Sequence, residues 1–215
     1  MTAAPPRLEA QSIRCTRGQR VLFDDLCFTL EPGETLVLTG PNGSGKTSLL
    51  RLIAGLLPPA EGRLLWRGVD AAQEPETFRR DLSWVGHADG LKPALTVLEN
   101  LEFSCRIVDG TIAAGSLQNA LETVGLGTLA DQPARYLSAG QRRRLTLARA
   151  AALQRPLWLL DEPTTALDDA GQAMLTGLLA AHAERAGLAV IATHTPIEVP
   201  KPRALPLGPA DRAAA

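Results

Sequence analysis

Cysteine is scarce and odd in number: Cys15, Cys27 and Cys105 are widely spaced among 215 residues. Such thiols suit neither a disulfide framework nor a zinc cluster, and they fit a reducing compartment as small buried side chains. An excess of either charge is also missing, with 22 Lys and Arg against 23 Asp and Glu. No overall field therefore draws the chain to nucleic acid or to an anionic membrane surface, and any such partner must be held locally. No segment reaches the roughly 18 uninterrupted apolar residues of a spanning helix. Met1 to Gln11 also lacks the basic segment and following apolar stretch of a secretory signal. The expectation is a soluble chain, or one attached to a membrane through another protein.

Against these absences stands Gly40-Pro41-Asn42-Gly43-Ser44-Gly45-Lys46-Thr47. Small residues let successive backbone N–H groups turn inward around a phosphate chain, Lys46 reaches the terminal phosphates, and the Thr47 hydroxyl can bind Mg²⁺. Thr35 to Thr39 reads as a buried strand entering the loop. Ser48 to Ala54 continues as a helix whose N-terminal end favours bound phosphate. The pattern predicts a nucleoside triphosphate site.

The chain divides into three zones. From Leu8 to Leu38, short apolar runs broken at Arg17-Gly18-Gln19 and Glu31-Pro32-Gly33 suggest antiparallel strands, and Gly62 to Gly68 suggests another. From about Ala88 to Ala152 the period is helical: Thr96 could cap a helix through Ile107, Leu117 to Val124 forms a second, and Ala139 to Leu153 a third. Leu157 to Leu160 and Leu188 to Ala192 are fully apolar runs flanking a helix from about Asp168 to Arg185, a βαβ rhythm. The predicted fold is α/β: a mainly parallel sheet between helices, with an N-terminal antiparallel part and a helical insert. Residues 1–200 are expected to form the nucleotide-binding domain, with the insert at about 88–152. Proline and alanine from Pro196 onward suggest a poorly ordered tail, set at 201–215. His182, on a helix, is expected to face solvent.

After Leu157 to Leu160 come two consecutive carboxylates at the carboxyl end of a strand, where open α/β sheets place their ligands. Asp161 would hold Mg²⁺ through water or indirect contacts, and Glu162 would orient or deprotonate the water that attacks the γ-phosphate. Gln141-Arg142-Arg143-Arg144 invites a nucleic-acid reading, but three arginines opening a helix are expected to be salt-bridged surface.

Taken in order, these motifs resemble the ATP-binding subunits of the ABC transporter family over nearly the whole chain. Leu137-Ser138-Ala139-Gly140-Gln141 resembles the family signature, with Ala139 where glycine is usual. Thr165-Ala166-Leu167-Asp168 resembles the loop after the catalytic glutamate, and His194 matches the switch histidine. The resemblance implies a P-loop NTPase core and ATP with Mg²⁺ as ligands. Lys46, Glu162 and His194 would be catalytic, Gly40 to Ser48 with Ser138, Gly140 and Gln141 would bind nucleotide, and Thr47 and Asp161 would serve the metal. Ser138, Gly140 and the helix they open make an anion site too far from Lys46 in one subunit to share a phosphate, so two subunits would close head to tail over two ATP molecules.

Alignment by Gly18 places Arg17 where the family stacks an aromatic ring on adenine, and a guanidinium plane can stack there too. His87 stands where glutamine is usual, a position that helps coordinate Mg²⁺ and senses the membrane partner. These two residues, with Gly86-His87, Gly90-Leu91-Lys92, Leu-Ser-Ala-Gly-Gln and the short length, resemble one subgroup, the ATPase of the bacterial cytochrome c maturation complex, a heme exporter. That implies a homodimer of ATPase subunits bound peripherally to a membrane-embedded permease on the cytoplasmic face of the inner membrane. It implies neither a nucleic-acid partner nor a direct heme site in this chain, which has no Cys-x-x-Cys-His. An ABC ATPase for another cargo, one acting in DNA or iron-sulfur metabolism, and a small P-loop kinase are the competing readings. The kinase would leave the signature and His194 without a role.

Overall fold

The computed structural model describes residues 4–109 and 114–208. Its first half contains β1 (Leu8–Arg17), β2 (Arg20–Leu30), β3 (Thr35–Thr39), α1 (Lys46–Ile53), β4 (Glu61–Trp66), β5 (Val69–Asp70), α2 (Pro75–Arg80) and β6 (Leu82–Val85). There follow α3 (Val97–Asp109), α4 (Ala114–Thr123), α5 (Ala139–Leu153), β7 (Leu157–Asp161), α6 (Asp169–Glu184), β8 (Leu188–Ala192) and β9 (Pro202–Pro206). One sheet is antiparallel, in the order β2-β1-β4-β5, and the other is parallel, in the order β6-β7-β8-β3-β9.

Every residue of β7 and β8 is buried. That is what an unbroken apolar strand requires when both faces of a parallel sheet are covered. Strand alternation then assigns each side chain to one of two cores. Leu157, Leu159 and Val190 face Leu49, Leu50 and Ile53 of α1, with Ile13 and Leu30 of the antiparallel sheet in the same cluster. Trp158, Leu160 and Ile191 face the other way, toward Leu101, Leu121, Leu145 and Leu175 of the helices. Each such buried side chain contributes about 1.5–3 kcal/mol relative to an exposed one.

Register decides what the sheet presents. Leu38 of β3 and Asp161 of β7 both pair with Ala192 of β8, and Leu160 pairs with Val85 of β6. The carboxyl ends of the four strands are therefore level, so Gly40, His87, Glu162 and His194 all leave the sheet from one edge.

Helix starts follow their capping chemistry. Thr96 accepts from the Glu99 N–H while the Glu99 carboxylate accepts from the Thr96 N–H. Ser138 and Gln141 make the same reciprocal pair at α5, and Asp168 caps α6 through the Gly171 N–H. Each cap stabilises its helix by about 0.5–2 kcal/mol.

Three expectations are corrected. Cys15 and Cys105 are buried as expected, but Cys27 is exposed. Part of the segment predicted to be a loose tail, Pro202–Pro206, is the edge strand β9, paired parallel with β3, and Leu207 behind it is buried. Proline is tolerated there because an edge strand leaves one row of N–H positions unpaired. The remainder, 209–215, lies outside the described residues. His182 is buried, not solvent-facing: its ring stacks on Trp158 at 4.1 Å and its Nε2 lies 3.0 Å from the Leu188 carbonyl. Room for the ring depends on Gly187, where a Cβ would lie 2.2 Å from the imidazole.

Burial pushes the His182 pKa down to about 4, with a smaller contribution from Arg185 and an opposing one from the Leu188 bond. The folded chain therefore resists a proton that the unfolded chain accepts at about 6.5. Stability is full above that value and is lost as pH falls toward 4. Urea unfolding should give about 1–2 kcal/mol less stability at pH 5 than at pH 7 from this group. His182→Gln should remove that part of the pH dependence, and an unchanged slope in this variant would exclude His182 as its source.

Candidate active site

The phosphate loop begins where β3 ends. Gly40 has φ +134°, and a Cβ there would lie 2.0 Å from the Leu207 carbonyl, so the chain behind β9 leaves no room for a side chain. The loop then turns through Asn42 and Ser44, whose N–H donates to the Pro41 carbonyl at 3.2 Å. It enters α1 with Gly45 at the N-cap, where no side chain caps the helix. The first N–H groups of α1 are thereby left to a ligand, and the helix end favours an anion.

Lys46 is buried, and its Nζ donates to the Gly40 and Pro41 carbonyls at 2.7 and 3.2 Å. An ammonium carries three donors, so one is left for a phosphate oxygen. The Thr47 hydroxyl donates to Asp161 Oδ1 at 3.1 Å, which keeps the oxygen lone pairs of Thr47 available. Burial pushes the Asp161 carboxyl above the usual range, the Thr47 bond opposes this, Glu162 adds to it, and His87 and Arg51 counter it.

Glu162 follows at φ +50°, a left-handed conformation uncommon for a side chain of this kind. Its N–H is fixed by the Ala192 carbonyl at 2.8 Å, and its Oε2 accepts from the His194 ring Nδ1 at 2.8 Å. A carboxylate and an imidazole, one bond apart at the sheet edge, can together hold and deprotonate a water.

Lys46, Thr47, Asp161 and Glu162 line a cavity of about 380 Å³ together with Arg17 and His87, while Gly40, Pro41, Ser44 and His194 are not among its lining residues. Asn42, Gly43, Gly45 and Ser48 also line it, and so do Leu22 and Arg51, which sequence reasoning passed over. Arg51 sits one helical turn beyond Thr47, a spacing that could have revealed it. Ser138, Gly140 and Gln141 are not among the lining residues. They open α5, where the Ser138 hydroxyl accepts from the Gln141 N–H at 3.2 Å and its own O–H remains a donor.

The arginine run differs from expectation. Arg142 and Arg144 pair with Asp89 and Asp168, as a salt-bridged surface would, but Arg143 is buried. It lies four residues before Leu147 and seven before Ala150, both buried, so helical phase placed it inward.

The family model for ABC transporters matches residues 23–165, from β2 through the turn after Glu162. The chain belongs to the ABC transporter family. Similar proteins include the cytochrome c biogenesis ATP-binding export protein CcmA of Dechloromonas aromatica, 46% identical over 90% of this chain and 95% of that one. The protein of the same description from Rhodopseudomonas palustris strain HaA2 is 49% identical over 90% and 94%. Among solved structures, an ABC transporter ATP-binding protein of Pyrococcus furiosus superposes with a TM-score of 0.82 at 21% identity, over 94% of this chain and 97% of that one. As a member of this family the chain binds nucleotide and is an ATPase within a transport assembly. Among the described residues no helix is long and apolar enough to cross a membrane.

Lys46→Ala should weaken ATP binding at least about tenfold, since it removes the buried cation from the loop. Titration with a fluorescent ATP analogue measures this, and affinity within twofold of wild type would refute the role of Lys46.

Proposed function

We propose that this chain is the ATP-hydrolysing subunit of an exporter serving c-type cytochrome biogenesis, coupling hydrolysis to heme export or delivery. The pairing of Glu162 with His194 on the strand edge that also carries Lys46 and Thr47 supports the hydrolytic half of this reading. The descriptions of the relatives, with His87, Arg17 and the Leu-Ser-Ala-Gly-Gln signature, support the cargo.

In this mechanism the loop N–H groups and Lys46 hold the β- and γ-phosphates, and Arg17 stacks on the base. Glu162 accepts the proton of the attacking water and His194 fixes the orientation of that carboxylate. Two oxygen donors suit Mg²⁺, since Thr47 keeps free lone pairs and Asp161 stands beside it; His87, a nitrogen donor lining the same cavity, would act through a metal-bound water. No group of three or more His, Cys, Asp and Glu among the described residues makes a protein cage, which fits an ion carried in mainly by phosphate and water. When bound, Mg²⁺ neutralises charge on the phosphates.

Two copies close head to tail, each donating Ser138, Gly140 and the N-terminus of α5 to the phosphates held by the other. Hydrolysis then leaves separated charge in the interface and opens it. A second cavity, of about 720 Å³, borders the first at His87 and Asp161 and continues to the exposed Leu56, Phe103, Ile107 and Val108. This apolar mouth suits a membrane-embedded permease, which would hold the chain peripherally at the cytoplasmic face of the inner membrane.

Glu162→Gln should keep ATP binding, lose about a hundredfold or more in turnover, and accumulate a closed dimer visible by size-exclusion chromatography with ATP. Wild-type turnover in this variant would refute the catalytic assignment. Isolation with the membrane subunit should yield heme that changes with ATP, and a heme-free complex would point to another cargo.

A further inference from the structure

Arg143 stands one turn into α5, five residues beyond Ser138, and only 3% of it is exposed. Its Nη2 donates to the carbonyls of Asp161 and Glu162 at 2.7 and 2.8 Å, its Nη1 to that of Gly86 at 2.7 Å, and its Nε to that of Pro163 at 3.3 Å. One guanidinium thus collects the backbone of the turn that carries both carboxylates and of the residue preceding His87. Its donors lie in one rigid plane, so the four acceptors are fixed relative to one another and to the helix that the signature opens.

Stability alone gives little reason for such a residue. Burying a cation costs desolvation that a well-packed apolar side chain avoids, and burial does push the Arg143 pKa down, against the carboxylates of Asp89, Asp161 and Glu162. What the guanidinium does that a leucine would not is hold the carbonyl of Glu162 while that residue occupies its left-handed conformation.

We propose that Arg143 is a positioning residue for ATP hydrolysis, aiming the Glu162 carboxylate through its backbone and tying that aim to the signature helix. Seating Ser138 and Gly140 on a phosphate shifts α5, and Arg143 carries the shift to the Glu162 and Gly86 carbonyls, beside the Arg142–Asp89 and Arg144–Asp168 pairs and the Arg149 bond to the Trp84 carbonyl. The inference rests on the reading of Glu162 as the hydrolytic base given above.

The test compares Arg143→Gln and Arg143→Lys in the full-length chain isolated with its membrane subunit. Arg143→Gln should lower kcat at least about tenfold while KM and the affinity for a fluorescent ATP analogue stay within threefold. Arg143→Lys, which keeps the charge and can reach some of the carbonyls, should recover part of that loss, and it alone carries the test if the glutamine variant does not fold. Added to Glu162→Gln, the Arg143→Gln change should alter the residual rate less than about twofold, because both act on one group. An unchanged kcat, a loss confined to KM and melting temperature, or effects that multiply in the double variant would overturn the proposal. Full turnover in Glu162→Gln alone would remove the reading of the base and this inference with it. Lost turnover there, beside normal turnover in both Arg143 variants, would remove this inference only.

Discussion

The alignment of four parallel strand ends is the constraint on which the rest depends. β7 is apolar through Leu160 and ends on Asp161, which is buried and still paired with Ala192 of β8, and Glu162 follows at the carboxyl edge of the sheet. Because β8 pairs on one side with β7 and on the other with β3, His194 and the phosphate loop emerge level with those carboxylates. A slip of a parallel pairing would displace one half of the site from the other. Burial on both faces opposes such a slip, since each strand residue already belongs to one of two cores.

The charged and polar groups of the site hold one another in place. Lys46 rests on the Gly40 and Pro41 carbonyls, Thr47 on Asp161, and His194 on Glu162. Such mutual bonds restrict the rotamers of Lys46, Thr47 and Glu162, and pre-ordered groups lower the entropic cost of binding. The strain is local: Glu162 and Ala166 both have positive φ in the turn between β7 and α6, the segment on which Arg143 converges.

Two hydrophobic cores meet across one sheet, and they have different tasks. The core under α1 and the antiparallel sheet holds the phosphate loop, while the core under α3, α4, α5 and α6 carries the signature on the N-terminus of α5. Where the second core borders the sheet edge, the His87 segment and the apolar mouth of the larger cavity lie between them. Three arginines of α5 tie this segment to the second core: Arg149 to the Trp84 carbonyl, Arg143 to that of Gly86, and Arg142 to Asp89.

Much of this is written in short-range chemistry. The glycine-rich loop, the paired carboxylates and the Leu-Ser-Ala-Gly-Gln segment stand out in the sequence because each has its residues contiguous, and strand periodicity with the capping residues Thr96, Ser138 and Asp168 locates the elements around them. Less legible were features set by distant packing. β9 has two prolines and reads as tail, and it is a strand only because β3 offers it an edge. His182 reads as surface, and it is buried only because Gly187 leaves space beside Trp158. Arg143 sits in a run of three arginines, and the carbonyls that receive it come from residues 57 positions before it and 18 to 20 after it. Sequence by itself determined the chemical inventory and the local backbone, since those depend on neighbours along the chain. Only the tertiary structure decided which polar groups are buried and what they hold, because the partners that satisfy a buried charge are brought near it by folding alone.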